Sequence, residues 1–345
     1  MRVLNPARII TLISLYFTFT LLLLGCSSTG NTCRRPLPLT WSNQTLLLED
    51  VTRLSSPAFA GRKTMTPGAA LTRDYLILRM QQAGLVPWSS SLAPLTMAPA
   101  KHHNPFEQHF SYQYQFTERQ GVNLIGMLPA THASSQWRLI VAHYDHLGMR
   151  GSKLYPGADD NASGIAAMLA LAEHAKSQQR PTNLLFIATD AEEQGLYGSQ
   201  ALVAMLQDNN SQPSMSQIEL AINLDMVGRP DRYHTIYLEG RRNFSQFAAL
   251  QQHLMQTVGL CIRANHPPEA GKTIQRIDWL RSSDHYSFHQ AKLPWLYFGI
   301  PPHSDYHQTS DIASKIDIEF LAAVTETAYE LLIIDSYLLN NRAKQ

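Results

Sequence analysis

Two adjacent carboxylates, Asp159 and Asp160, lie in a turn of small residues (PGADDNASG, 156–164) directly before the apolar run 165–172. Carboxylates in such a turn can bind a metal ion or exchange protons with a substrate. Acidic residues are also favoured at helix N-termini by capping and by the helix dipole, which explains the pair without any chemistry. A functional role therefore depends on which other residues the fold brings to this turn.

Further candidate side chains follow apolar runs that are typical of buried strands. They are His143 and Asp145 after 139–142, Glu192 and Glu193 after 183–189, Asp225 after 218–224, and His307 in the loop that follows 293–299. His143 and Asp145 are two residues apart, so on an extended chain they face the same side. The Asp145 carboxylate is thus predicted to accept a hydrogen bond from His143 and to fix its tautomer. Asp225 needs a polar partner, because an unpaired carboxylate at the end of a buried strand is unfavourable.

Asp145 is set aside as the partner of His143, and one member of the Asp159–Asp160 pair is counted. The remaining residues supply two histidines and three carboxylates, with one glutamate to spare. Oxygen and nitrogen donors without thiolate favour a catalytic zinc site with open positions over a closed structural site. There are more carboxylates than one metal needs, which indicates two ions that share a bridging ligand. For most of these residues taken alone, a solvated helix start or a capped loop histidine is the simpler interpretation.

The elements that position these residues alternate between strands and helices. Strands are predicted at 110–116, 122–127, 139–142, 183–189, 218–224, 235–238 and 293–299, and helices at 46–54, 72–84, 165–172, 196–206, 244–258 and 317–339. This alternation predicts an α/β fold, a single three-layer α/β/α domain with a mixed, mostly parallel central sheet and helices on both faces. In such sheets ligands bind beyond the carboxyl ends of the strands, where the acidic candidates lie. Residues 263–284 are predicted to form a long loop at the rim of the cleft.

The overall composition is that of a globular protein, with 345 residues of which 44% are hydrophobic and 16% are charged. This length suffices for one large α/β domain. The formal net charge of +1 gives no electrostatic reason to expect a nucleic-acid partner.

Residues 1–25 have a charged start and an apolar run at 9–24, as in a secretory signal peptide. The sequence LLGCSS resembles a bacterial lipobox, in which Cys26 becomes the lipidated first residue of the mature protein. We therefore expect a lipoprotein signal peptide at 1–25, a lipidated, flexible tether at 26–45 and the catalytic domain at 46–345. A single transmembrane anchor is the alternative, although 16 apolar-rich residues fall short of a comfortable span. Ser27 resembles the outer-membrane sorting choice, which predicts a lipid-anchored protein at the bacterial outer membrane that faces the periplasm.

The two remaining cysteines are Cys33, in the predicted tether, and Cys261, deep in the domain. An exported compartment permits a disulfide between them, and two free thiols are an equally good interpretation of the sequence.

Six segments, in order along the chain, carry a resemblance to a known family: AHYDHLG, PGADDNASG, DAEEQGLYGS, NLDMVG, SSDHYSF and DYHQTSD. The chain resembles the di-zinc aminopeptidases of peptidase family M28 over about residues 46–340. The resemblance implies two Zn²⁺ ions bridged by Asp160, one completed by His143 and Asp225 and the other by Glu193 and His307. It also implies that Glu192 is the general base, that Asp145 orients His143, and that the peptide bond after Asp160 is cis.

One position departs from the family pattern. Some members carry a tyrosine just upstream of the Ser-Asp-His segment to stabilise the tetrahedral intermediate, and Leu280 occupies that place here. Tyr306 is a candidate substitute that would contact the substrate. Asp284 and His285 are expected near the metals and outside the ligand set.

The expected function is that of a zinc-dependent aminopeptidase, which hydrolyses the N-terminal peptide bond of peptides with a free N-terminus. In this hypothesis the two metals activate water and Glu192 accepts its proton. One alternative is a glutaminyl-peptide cyclase of the same fold, which would use one zinc at Asp160, Glu193 and His307. Another is a catalytically inactive ectodomain that only binds partners. Retention of His143 and Asp225 and of every other expected ligand favours the aminopeptidase.

Overall fold

The computed structural model describes residue 33 and residues 36–88, 104–209, 211–270 and 275–339. The predicted signal peptide and Cys26 lie outside these residues, so the lipoprotein assignment stays a prediction. In the described ranges no helix combines the length and apolar character needed to cross a bilayer.

The described ranges contain α-helices and β-strands that alternate along much of the chain. The α-helices are α1 (Gln44–Leu54), α2 (Pro67–Gln82), α3 (Gly164–Lys176), α4 (Tyr197–Leu206), α5 (Phe247–Val258), α6 (His285–Gln290) and α7 (Ile318–Ile333). The strands are β1 (Val86–Pro87), β2 (Glu107–Tyr114), β3 (Thr117–Leu128), β4 (Trp137–His143), β5 (Gly148–Arg150), β6 (Lys153–Tyr155), β7 (Asn183–Thr189), β8 (Ile218–Leu224), β9 (Thr235–Glu239), β10 (Cys261–Ala264), β11 (Glu269–Ala270), β12 (Gln275–Arg276) and β13 (Trp295–Gly299).

Nine of these strands form one mixed sheet in the order β1-β3-β7-β4-β8-β13-β9-β10, with β2 paired to β3. The four central strands β7, β4, β8 and β13 are parallel to one another. The antiparallel pairs lie on either side of this centre, at β1–β3, β2–β3, β3–β7 and β13–β9. The predicted mixed α/β sheet is confirmed, with its parallel part in the middle, where the carboxyl ends of neighbouring strands meet.

Helices cover both faces of the sheet, which confirms the predicted three layers. Side chains of the central strands alternate between two apolar cores: Ile140 faces the core built with α1, α2, α3, α5 and α7, while Val141 faces the core built with α4 and α6. This alternation is the period of two expected of a strand buried on both faces. The sheet is therefore held rigidly at the level where the candidate residues begin.

Several element bounds differ from those predicted. Helix α2 begins at Pro67, five residues earlier than predicted, because Thr66 caps its N-terminus. Strand β2 ends at Tyr114, because Gln115 and Phe116 adopt positive φ angles in the hairpin turn. The predicted loop 263–284 contains the end of β10 and the short β11–β12 hairpin. Helix α7 ends at Ile333, since Ile334 leaves the helical region with ψ of 148°.

Cys33 and Cys261 form a disulfide, which decides between the two possibilities that the sequence left open. Residues 37–42 are packed on the domain, although the sequence predicted a flexible tether as far as residue 45. Glu326 of α7 accepts hydrogen bonds from the backbone N–H groups of Thr40, Trp41 and Ser42. The ring of Trp41 stacks on His174 at 3.9 Å between centroids. These contacts need partners about 130 to 290 residues away, which is why local composition did not reveal them.

Candidate metal centre

A cleft lies beyond the carboxyl ends of the central parallel strands. Its lining residues are His143, Asp160, Glu192, Asp225, Met226, Ile277, Trp279, Ser282, Tyr297, Ile300, Pro302, Tyr306 and His307. His143 ends β4, and Glu192, Asp225 and His307 follow β7, β8 and β13, so the fold brings together residues that are as much as 164 positions apart in the sequence. This is the location expected for ligands of an open α/β sheet.

His143 and Asp225 approach each other from neighbouring strands. His143 is the last residue of β4, and Asp225 follows directly after β8. The Nε2 atom of His143 lies 3.3 Å from Oδ1 of Asp225 and 3.4 Å from Oδ1 of Asp160. We call His143 and Asp225 the strand half of the centre, because both are fixed by the register of the parallel sheet.

Glu193 and His307 approach Asp160 from the opposite side. His307 Nε2 lies 3.1 Å from Oδ2 of Asp160 and 3.2 Å from Oε2 of Glu193. Both residues belong to connections beyond β7 and β13, and His307 has a positive φ of 55°. We call Glu193 and His307, with the nearby His146 described below, the loop half of the centre. Asp160 thus presents one carboxylate oxygen to each half.

The acidic turn is held in place by hydrogen bonds to its backbone. The carboxylate of Asp311 accepts from the N–H groups of Asp159 and Asp160 at 3.1–3.2 Å. Asn161 donates from Nδ2 to the carbonyl of Leu224 at 2.9 Å, which ties the turn to the end of β8. The peptide bond between Asp160 and Asn161 is cis, as the family resemblance implied.

Asp159 points away from the candidate ligands. Its Oδ1 accepts a hydrogen bond of 2.7 Å from the N–H of Gly228, and its Oδ2 lies 3.2 Å from Nε2 of His303. The two adjacent carboxylates therefore have different surroundings, and Asp160 is the member of the pair that faces both halves.

Asp145 is placed differently from the prediction. Its backbone carbonyl lies 3.2 Å from Nδ1 of His143, whereas its carboxylate is 3.8 Å from that atom. The carboxylate instead accepts from the backbone N–H groups of Glu192 at 3.0 Å and Glu193 at 3.3 Å. The reason is that the chain turns after His143, so the period of two for an extended strand no longer applies. Asp145 therefore supports the turn that carries both glutamates.

Glu192 is close to the strand half and lines the cleft. One of its carboxylate oxygens lies within 4.8 Å of ligand atoms of both His143 and Asp225. Burial raises the pKa of Glu192 well above its usual range, and the carboxylates of Asp225 and Glu193 add to this, although His143 opposes it. A carboxylate with a raised pKa in a cleft is suited to accept a proton.

The carboxylates of Asp160 and Glu193 favour their charged forms. Burial by itself raises the pKa of Asp160, but the surrounding histidines outweigh it and hold that pKa well below its usual range. Burial and the Asp160 charge likewise oppose ionisation of Glu193, and close contacts with His146 and His307 lower its pKa. Burial lowers the pKa of His307, but contacts with Asp160 and Glu193 prevail and raise it to about 10. The site therefore concentrates negative oxygen donors around positions that attract cations.

The spacing of these donors fits metal ions. Two ligands bound at 2.0–2.2 Å in tetrahedral geometry lie about 3.4 Å apart. The contacts of 3.1–3.4 Å that Asp160 makes with His143 and His307 are close to this value. Hydrogen bonds alone leave several of these atoms without partners in the described ranges, among them Oε1 of Glu193. The donor set consists of imidazole and carboxylate groups, which are zinc ligands.

Two buried residues of this region were missed by the sequence analysis. His146 lies beside Glu193, with its Nδ1 atom 2.6 Å from Oε1 of that glutamate. Arg62 donates from Nε to the carbonyl of Tyr144 and from Nη2 to that of Gly157, both at 2.8 Å, which joins the acidic turn to the segment after β4. His146 had a signal in the sequence, a second histidine three residues after His143. Arg62 had none, because its partners lie far along the chain.

The residues considered for the oxyanion have distinct positions. Tyr306 lines the cleft and stacks on His307 at 3.8 Å between ring centroids. Burial and the nearby carboxylates raise the pKa of Tyr306, so its hydroxyl remains a hydrogen-bond donor. Leu280 packs against the apolar core of α4 and α6. Asp284 accepts from the hydroxyl of Thr189 and does not belong to the ligand clusters found in the described ranges.

A protein-family model described as Peptidase family M28 matches residues 123–332 of the chain. The chain belongs to peptidase family M28. The matched region includes every candidate ligand and the strands that carry the central parallel sheet.

Proteins of known name and structure resemble this M28 family member over parts of its length. Aminopeptidase YwaD of Bacillus subtilis is 30% identical over 233 residues, which cover 62% of this chain and 46% of that protein. The structure of BSAP, a zinc aminopeptidase from Bacillus subtilis, is 25% identical with a TM-score of 0.50 and covers 65% of this chain and 53% of that one. The chain spans about half the length of the curated relatives it matches.

The fold of this M28 family member also occurs in a protein with a different named reaction. Porphyromonas gingivalis glutaminyl cyclase matches with a TM-score of 0.60 at 19% identity, covering 85% of this chain and 98% of that one. At this identity the likeness shows the shared fold. The choice between reactions must therefore come from the residues of the site.

Proposed function

We propose that this protein is a two-zinc aminopeptidase that hydrolyses the first peptide bond of peptides with a free N-terminus. The observation that supports this most strongly is the position of Asp160, whose two oxygens face separate donor sets at 3.1–3.4 Å. A carboxylate with one oxygen on each side is the arrangement required of a ligand that bridges two metal ions.

In this proposal His143 and Asp225 hold one zinc, Glu193 and His307 hold the other, and Asp160 bridges them. Two zinc ions in this arrangement supply Lewis-acid polarisation of the scissile carbonyl and activation of the attacking water. The buried surroundings of His143, which is 1% exposed, strengthen electrostatic interactions in the strand half.

Glu192 is the proposed general base. It accepts a proton from the attacking water as the new C–O bond forms, and then donates that proton to the leaving amine as the C–N bond breaks. Asp145 holds the backbone of Glu192 and Glu193, so it acts as a positioning residue for both. The hydroxyl of Tyr306 is the proposed donor to the oxygen that becomes negatively charged in the tetrahedral intermediate.

The cleft wall supports a preference for an apolar N-terminal side chain. The apolar part of the lining consists of Met226, Ile277, Trp279, Ile300 and Pro302. Trp279 is fixed by stacking on His266 at 4.0 Å and by a hydrogen bond of 2.6 Å from its Nε1 to the carbonyl of Pro267. Apolar walls with few convergent polar groups are typical of sites that select a hydrophobic side chain.

Two rival functions predict a different donor set. A cyclase with one zinc at Asp160, Glu193 and His307 has no need of an intact strand half, yet His143 and Asp225 lie at ligand distance from each other and His143 from Asp160. An inactive binding domain would be free to lose ligands, whereas each of the five expected ligands is retained and lies within 3.4 Å of another one.

The test uses the purified protein reconstituted with zinc and paired peptides that differ only in a free or acetylated N-terminus. We expect release of the first residue from the free peptide alone, with apolar first residues cleaved fastest. Cleavage of the blocked peptide at an internal bond, or cyclisation of an N-terminal glutamine without hydrolysis, would contradict the proposed reaction.

We further propose that the protein is a lipoprotein anchored through Cys26 at the outer membrane, facing the periplasm. The motif LLGCSS supports this, and the Cys33–Cys261 disulfide suits an exported compartment. Six residues lie between Cys26 and Cys33, which limits the reach of the anchor to about 25 Å. The variant Cys26→Ala should accumulate as unprocessed precursor, and continued acylation and sedimentation of this variant with outer membranes would refute the anchor.

A further inference from the structure

Building on the two-zinc centre proposed above, we propose that His146 is a fourth protein ligand of the zinc held by Asp160, Glu193 and His307. The family resemblance assigns one histidine to each half of the centre, His143 and His307. The loop half of this chain contains a second one.

The environment of His146 is unusual for a structural histidine. Its side chain is fully buried at 1% exposure, and neither ring nitrogen has a hydrogen-bond partner in the described ranges. A buried polar group without a partner destabilises the fold, so native structures rarely retain one unless it has another role. Coordination of a metal would satisfy the Nδ1 nitrogen.

The position of His146 relative to the other donors fits such a role. Nδ1 lies 2.6 Å from Oε1 of Glu193 and 3.7 Å from Oδ2 of Asp160. The short contact with Glu193 is not aligned as a hydrogen bond, since both atoms remain without a hydrogen-bond partner in the described part of the chain. The lone pair of the imidazole is therefore directed elsewhere than at this oxygen. The distance to Asp160 is close to the roughly 3.4 Å between ligands of one tetrahedral zinc.

His146 and His307 contact opposite oxygens of Glu193. His146 lies next to Oε1 and His307 lies 3.2 Å from Oε2, and the two ring centroids are 5.7 Å apart. A metal that binds Glu193 and Asp160 thus has one imidazole available on each side of the glutamate. Four protein donors would fill a tetrahedral site, which leaves the strand half as the one with open positions for water and substrate.

The acidic turn leaves space for this imidazole. A Cβ atom added to Gly157 would lie 2.6 Å from Cγ and Cδ2 of the His146 ring, and Gly157 has a positive φ of 60°. Glycine at this position therefore allows the ring to pack directly beneath the turn that carries Asp160.

His285 is a second buried histidine whose surroundings can be compared with those of His146. It is also fully buried, and its Nδ1 also lacks a partner in the described ranges. Its other nitrogen, however, lies 2.9 Å from the carbonyl of Trp279, and its ring stacks on Tyr297 at 4.5 Å. The nearest partners of His285 are thus aromatic rings and a carbonyl, whereas those of His146 are two carboxylates.

The test isolates the loop half in the variant His143→Ala, which should retain one zinc. In this background the protein that retains His146 is compared with two variants, His146→Phe, which keeps a ring beneath Gly157, and His146→Ala. The variant His285→Asn in the same background is the control. X-ray absorption of the one-zinc proteins should show two imidazoles per zinc with His146 present and one in either variant. Competition with a chelator should show zinc binding weakened about 100-fold or more, because loss even of a residue behind a ligand costs 10–100-fold. The control should change neither quantity.

An unchanged imidazole count in a folded His146→Phe or His146→Ala protein would overturn the proposal, whatever happens to the affinity. A lower affinity with one imidazole throughout would mean that His146 acts on Glu193 alone, which also refutes it. Thermal unfolding of the metal-free variants identifies any that fail to fold. Because these measurements follow coordination, they are independent of the peptide assay: the aminopeptidase proposal fails if the free peptide is not cleaved, even where the imidazole count is two.

Discussion

The two halves of the candidate metal centre are built in different ways. The strand half, His143 and Asp225, sits on the ends of two adjacent parallel strands, and the register of the sheet fixes its geometry. The loop half, Glu193, His307 and His146, depends on connections that are held by other side chains, such as the Asp145 carboxylate beneath Glu193. A histidine next to a carboxylate is therefore obtained in one half from backbone geometry and in the other from connections held by hydrogen bonds.

Exposure also differs between the two histidines, His143 and His307, that the halves were expected to contribute. The side chain of His143 is 1% exposed, whereas that of His307 is 34% exposed. Burial of His143 strengthens its electrostatic interactions, whereas His307 is the ligand through which the loop half meets solvent. The two halves lie on different elements of the fold. Disturbing one half should therefore leave the other largely intact, except at Asp160, which they share.

That shared residue should give the largest effect. Asp160→Ala removes a donor from both halves, so we expect loss of both zinc ions and of peptide hydrolysis. Asp159→Ala leaves the N–H of Gly228 without its partner and should cost about 1–3 kcal/mol of stability, with both zinc ions retained. Metal analysis and denaturant unfolding of the two variants measure these outcomes. Equal loss of zinc from both would show that Asp160 is not the bridge.

The adjacent glutamates separate catalysis from metal binding. Glu192→Gln keeps the shape of the side chain but cannot accept a proton, so turnover should fall ~10²–10⁴-fold while zinc content and fold remain normal. This corresponds to roughly 3–5 kcal/mol of activation barrier. Glu193→Gln should instead weaken the loop half, and excess zinc should restore part of its activity. If Glu192→Gln turns over normally, or loses zinc while Glu193→Gln does not, the assigned roles are exchanged.

The sequence located the strand half more closely, because Asp225 follows a strand whose bounds were predicted correctly, and His143 ends β4, of which the central part 139–142 was predicted. Strands β7 and β8 were predicted with the bounds that the structure has, and Asp225 comes directly after the second. A residue at the end of a parallel strand can be located from its position in the sequence alone, since all such ends meet at one edge. The roles of the individual ligands came from the family resemblance and stay predictions until they are tested.

The loop half was predicted less completely, for a physical reason. His146 and Asp145 lie in an irregular turn after β4, where no fixed period relates sequence spacing to side-chain direction. The partners of Arg62 and the docking of residues 40–42 on α7 likewise depend on contacts between distant segments. Local patterns contain little information about such contacts, so the structure was required.

A substitution at Tyr306, which stacks on His307 of the loop half, tests whether its hydroxyl is the oxyanion donor. Tyr306→Phe removes the hydroxyl and keeps the ring that stacks on His307. Removal of an oxyanion donor typically lowers kcat by ~10²–10³-fold, and we expect a loss near the lower end, with little change in KM or zinc content. Steady-state kinetics measure both parameters. An unchanged kcat would assign the oxyanion to another group.

The last expected effect concerns the pH dependence of stability and leaves activity at neutral pH aside. Burial lowers the pKa of His285 to about 3, from 6.5. The unfolded state therefore binds one more proton between these values, so this residue makes stability decrease as the pH falls from about 6.5 to about 3. The slope contributed is at most ~1.4 kcal/mol per pH unit, and it should disappear in His285→Asn. Denaturant unfolding of metal-free protein from pH 7 to pH 4 compares the two slopes, and identical slopes would argue against a neutral buried imidazole.

The zinc content of dialysed protein tests the two-metal centre most directly. The wild-type protein should retain close to two zinc ions per chain, and His143→Ala and Asp225→Ala should each retain one, held in the loop half. One zinc per chain in the wild type, unchanged in both variants, would contradict a two-metal centre and favour the one-zinc cyclase.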